Sequence, residues 1–97
     1  MSDRNFIRHV VFFSAKDKAD ITRIREGLSM LAQIPHSSKF EVVQNSGVDT
    51  LSGEVDVVVY AEFADADALA AYKAHPIYQR SIDVVRPLRE LRIAADF

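Results

Sequence analysis

Val55 to Tyr78 reads VDVVVYAEFADADALAAYKAHPIY, and the interpretation of this stretch decides the fold. Val55 to Phe63 alternates as a strand does. Val55, Val57, Val59, Ala61 and Phe63 make one wholly apolar face, and Asp56, Val58, Tyr60 and Glu62 a mixed one. Asp65 follows as a helix N-cap, its carboxylate suited to accept from free backbone N–H groups, and Asp67 suits the dipole of the same turn. Ala66 to Ala74 is then an alanine-rich helix. Pro76 has no N–H and pushes His75 out of the helical region, so the helix stops there. The break crowds Tyr72, His75 and Tyr78 together. Ile77 to Val85 resumes as a second helical piece with Ile77, Ile82 and Val85 inward.

Upstream, Phe6 to Ser14 (FIRHVVFFS) is a strand without Gly or Pro. Ile7, His9, Val11 and Phe13 share one face, and Phe6, Arg8, Val10 and Phe12 the other, so both faces need cover. Asp17 or Asp20 caps the helix that follows. Ile21, Ile24, Leu28 and Leu31 form its apolar stripe, and Pro35 ends it. Gly27 inside that pattern either allows close packing against the sheet or is simply tolerated. Lys39 to Asn45 is a second strand, Ser46 to Gly53 a loop, and Pro87 to Ala94 the last strand, with Pro87 at its first position.

The order is β-α-β-β-α-β over a single domain, residues 1–97. It predicts an α+β, ferredoxin-like chain, with a four-stranded antiparallel sheet and helices on one face. The helices cover one face only. The second apolar face predicts a homodimer in which two sheets face each other, a dimeric α+β barrel.

Composition narrows the function. A net charge of −2 gives no general attraction to nucleic acid or anionic membrane. No apolar run approaches the roughly 18 residues of a membrane span. Met1 to Asn5 lacks the apolar core of a signal peptide, and the absence of cysteine removes disulfides and thiolate chemistry. A cytoplasmic location is the expectation. RNA-recognition motifs share the element order, but they need a basic, Gly-containing run on the sheet, and VDVVVYAEF has no Lys, Arg or Gly.

With these elements placed, the chain resembles the stress-responsive α/β-barrel (Dabb) family. The resemblance rests on His9 to Phe12 (HVVF), the third-strand run ending in Phe63, Tyr-x-x-His-Pro at Tyr72, His75 and Pro76, and Ile34-Pro35. It implies the sheet-to-sheet dimer already described and a stress-related role. It also implies a pocket between sheet and helices, lined by His9, Val57, Tyr72, His75 and Tyr78, for a small apolar or aromatic molecule. One branch of the family, the polyketide cyclases of the olivetolic acid cyclase type, closes a tetraketide by aldol condensation in such a pocket. By that likeness His9 and Tyr72 are the candidate catalytic residues. Tyr78 stands where the cyclases carry a second catalytic histidine, and Val57 where they carry a supporting one. A phenol with a pKa near 10 is a poor base at neutral pH.

Each of these residues also has a plainer role. His9 suits a buried neutral imidazole bonded to Tyr72 or to backbone. His75 is explained by its place before proline, and Tyr72 and Tyr78 suit packing residues with a hydrogen-bonding tip. His36 is a solvated loop residue. Asp49, Glu54 and Asp56 are the sole oxygen cluster for a hard cation, the histidines lack metal spacing, and neither metal nor cofactor is expected. Arg80, Arg86, Arg89 and Arg92 are read first as salt-bridge partners, across a dimer or to the acidic helix start, and second as anion ligands. Three functions follow: a dimeric small-molecule-binding protein, a cofactor-free enzyme of the aldol or oxygenase type using His9 and Tyr72, or a structural assembly without ligand.

Overall fold

The computed structural model describes residues 6–97; the absence of a signal-peptide core at Met1 to Asn5 lies outside them. Four strands, β1 (Ile7–Ala15), β2 (Lys39–Gln44), β3 (Val57–Phe63) and β4 (Arg89–Asp96), form one antiparallel sheet in the order β2-β3-β1-β4. Three helices, α1 (Ile21–Ser29), α2 (Ala66–Ala74) and α3 (Pro76–Val85), complete the ferredoxin-like α+β fold, α2 and α3 together filling the second helix position. Among the described residues no helix is long and apolar enough to cross a membrane.

The pleat sorts the core. Val57, Val59, Ala61 and Phe63 are at most 1% exposed, and Val58, Tyr60 and Glu62 between them are half-buried. On β1, His9, Val11 and Phe13 point the same way as the β3 set, because Val11 pairs with Val59 and Phe13 with Val57. Ile24, Leu28 and Leu31 of the predicted stripe close over them, and Ile21 packs at the margin. Each such side chain contributes roughly 1.5–3 kcal/mol when removed from water.

The structure corrects several details. Asp17 caps a 3-10 turn at Lys18–Asp20 by accepting from Ala19 N, whereas Asp20 makes no cap bond to α1. Past Ser29 the chain tightens into a second 3-10 turn at Met30–Gln33. Gly27 packs against α3 rather than the sheet: a Cβ there would lie 2.9 Å from side-chain carbons of Val84 and Val85. The third strand begins at Val57, and Asp56 is occupied, accepting from Ala15 N at 2.8 Å and Lys18 Nζ at 2.6 Å. Among the described residues no cluster of His, Asp or Glu could hold a metal. Pro87 lies in the turn before β4, and that strand runs on to Asp96, past the Ala94 predicted from sequence.

Candidate functional site

The proline break builds one wall of the site. Asp65 caps α2 by accepting from Ala68 N at 2.8 Å. His75 then leaves helical geometry (φ −68°, ψ 141°) and Pro76 opens α3, while His75 Nδ1 accepts from Ile77 N at 3.1 Å. A capped restart replaces what would otherwise be a costly interruption. The change of direction brings Tyr72 and Tyr78, six residues apart, edge to face with ring centroids 5.3 Å apart. His75 itself serves as the cap and has its ring 6.2 Å from that of His36. It does not line the cavity described below, and neither does Val57, which is fully packed.

The sheet supplies the floor. Antiparallel register sets His9 opposite Ala61 on one side and Asp96 on the other. His9 Nδ1 lies 2.5 Å from Asp96 Oδ1; the imidazole is 2% exposed and the Asp96 side chain 41%. The carboxylate accepts from Nδ1–H, which orients the ring and leaves Nε2 as its second nitrogen. The ring of Tyr72 stands 6.2 Å from that of His9 and 4.8 Å from that of Phe63. Its hydroxyl makes no hydrogen bond to another described residue. Burial pushes the Tyr72 phenol well above its usual pKa, Tyr78 adds to this, and Arg92 opposes it. Tyr72 is thus a neutral hydrogen-bond donor at physiological pH, not a phenolate base.

Between floor and wall lies a cavity of about 260 Å³. His9, Tyr72 and Tyr78 line it, with apolar surface from Val11, Phe13, Leu28, Leu31, Val59 and Val85. Ser81, at its border, donates to Gly27 O at 2.9 Å and ties α3 to α1. Arg86, Arg89 and Arg92 complete the lining. Within the single chain none of them forms an ion pair with a described carboxylate. Arg92 Nη2 reaches Tyr78 Oη at 3.5 Å. Partial burial, and then the neighbouring Arg92 and Arg86 charges, hold the Arg89 guanidinium below its usual pKa, with Tyr78 opposing. An arginine so placed stays charged.

Sequence reasoning missed Asp96, and it named Arg86, Arg89 and Arg92 without bringing them to one cavity. The available signal was period-two alternation in the last strand, which puts Arg92, Ala94 and Asp96 on one face. Only the strand register shows that this is the face of His9, Val11 and Phe13.

Comparison with known proteins agrees with the geometry. No curated protein matches the chain by sequence. A dimeric ferredoxin-like protein of unknown function from Thermobifida fusca is 25% identical with a TM-score of 0.81, over 100% of this chain and 93% of that one. A Dabb family protein with a ferredoxin-like fold from Mesorhizobium loti is 24% identical with a TM-score of 0.76, over 95% and 94%. SnoaB, a cofactor-independent oxygenase from Streptomyces nogalater, is 16% identical with a TM-score of 0.70, over 96% and 91%. The family model of the stress responsive A/B barrel domain matches residues 7–97. The chain belongs to the stress responsive A/B barrel (Dabb) domain family.

Proposed function

We propose that this protein is a homodimer that binds a small apolar or aromatic molecule in the cavity between sheet and helices, with His9, Tyr72 and Tyr78 in contact with the ligand. The observation that carries the reading is the cavity itself: about 260 Å³ kept open inside a 97-residue chain, with aromatic and aliphatic walls and a few convergent polar groups. The dimer is supported by the uncovered sheet face and by relatives described as dimeric. A cytoplasmic location belongs to the same proposal, and cell fractionation checks it. A fragment screen read through the methyl resonances of Val11, Leu28 and Leu31 tests the site. Aromatic fragments are expected to shift these methyls and leave those of Val48 and Leu51, in the distant loop, in place. A library that moves none of the three overturns the binding reading.

The second reading, a cofactor-free enzyme, is favoured by the His9–Asp96 pair. A carboxylate on Nδ1 orients the imidazole and leaves Nε2 as proton acceptor, the arrangement a general base uses. Tyr72, held neutral, supplies a hydrogen-bond donor to a developing oxyanion. This reading expects His9→Ala and Tyr72→Phe each to abolish turnover while the fold persists. Unchanged rates in both variants sink it.

A further inference from the structure

We infer that the cavity selects an anionic amphiphile: a molecule with a carboxylate at the arginine rim and a ring or short acyl chain against the apolar floor. The inference rests on the proposed binding site and adds the chemical class of its ligand. Three guanidinium-bearing residues, Arg86 at the end of α3 and Arg89 and Arg92 on β4, border one small cavity. No Asp or Glu is among the described residues that line it. Asp96, which helps to build the site, is already engaged by His9 Nδ1. Like charges gathered around one cavity with no acidic lining residue repel one another, as the Arg86 and Arg92 charges do at Arg89. A carboxylate entering there removes the repulsion and accepts planar, paired N–H donors, the geometry that guanidinium groups present. Tyr78, within reach of Arg92, and the neutral phenol of Tyr72 add donors and no negative charge. The remaining lining includes Val11, Leu28, Leu31 and Val59, which have nothing to give a charged group. A cavity of about 260 Å³ lies just below the roughly 300–1,000 Å³ common for ligand sites, which suits a single ring with short substituents.

A matched pair of probes tests this: 4-butylbenzoate and its uncharged isostere 4-butylbenzamide, titrated calorimetrically into the full chain, with the methyl resonances of Leu28 and Leu31 locating the bound ring. Benzoate is expected to bind at least about tenfold more tightly than benzamide, a charge-assisted difference. Arg89→Gln and, separately, Arg92→Gln are expected to shrink that ratio by at least about threefold while benzamide affinity holds. Equal affinities for the two probes, or a ratio untouched by both variants, overturn the anionic selectivity and leave the apolar pocket standing. Failure of both probes to move the methyls overturns the binding site and this inference with it.

Discussion

Val57, Val59, Ala61 and Phe63 press against helices and are at most 1% exposed, while Val58, Tyr60 and Glu62, their neighbours along β3, look the other way and are half-buried. The contrast widens toward the sheet edges. On the outer face Val43 of β2 is 45% exposed and Ile93 of β4 is 55% exposed. One face is completed by the chain's own helices. The other has no helix over it and sets Val10, Phe12, Val58 and Ile93 among polar neighbours such as Arg8 and Glu62, more apolar surface than a lone chain usually leaves uncovered. The covered face also has a gap, at the β1–β4 side, where the inward positions of β4 are Arg92, Ala94 and Asp96 rather than large aliphatics. The cavity is that gap. The same sheet therefore offers two different kinds of surface: a broad mixed face with no helix over it, and a small cavity with arginines in its lining.

Substitutions separate the two faces. Phe63→Ala removes a fully buried ring from the covered face and is expected to cost about 3–5 kcal/mol, read from urea denaturation. A loss under about 1 kcal/mol would mean that the covered face is far looser than its burial implies. Ile93→Asp acts on the open face. It is expected to weaken dimerisation by about 2 kcal/mol, roughly thirtyfold, in sedimentation equilibrium, with the helical circular dichroism unchanged. An unaltered association constant, or a wild-type protein that sediments as a monomer, breaks the assignment of that face.

Tyr72 probes the gap through pH. Its unfolded phenol ionises near 10, and in the fold it resists ionisation because it is buried beside Tyr78. Above pH 10 the unfolded chain holds fewer protons than the folded one, so the contribution is complete below pH 10 and is lost as pH rises beyond it. The expected slope from this group approaches about 1.4 kcal/mol per pH unit, and Tyr72→Phe removes it. Identical alkaline limbs for the two proteins would place the hydroxyl in water. Gly27→Ala tests how tightly the helices close over the covered face. The new methyl meets Val84 and Val85 at 2.9 Å, an overpacking cost of about 1–3 kcal/mol, set against about 1 kcal/mol of gained helix propensity. Both valines are β-branched and stiff in a helix, so a net loss of about 1 kcal/mol is expected. A stabilised variant would show that α1 and α3 separate easily.

Local chemistry is what the sequence carried. Alternation in 55–63, the Asp65 cap and the arrest at His75-Pro76 each depend on residues within a turn or two, and each element formed as expected. The ferredoxin-like order followed from their succession, and the family likeness from short motifs such as His9 to Phe12 and the Tyr72, His75 and Pro76 set. His9, Tyr72 and Tyr78 were legible because their residue types and the proline break are visible in the chain. His75 was legible as a neighbour of proline, and its side chain turned out to be spent on the helix it precedes. Tertiary structure alone decided the rest. Asp96 meets His9 across 87 positions of sequence, through the β1–β4 strand register. The three arginines share one cavity because α3 and β4 converge on the same gap. Side chains from distant strands become neighbours only when the register is set, and register is chosen by the packing of the whole sheet against its helices, not by any single segment.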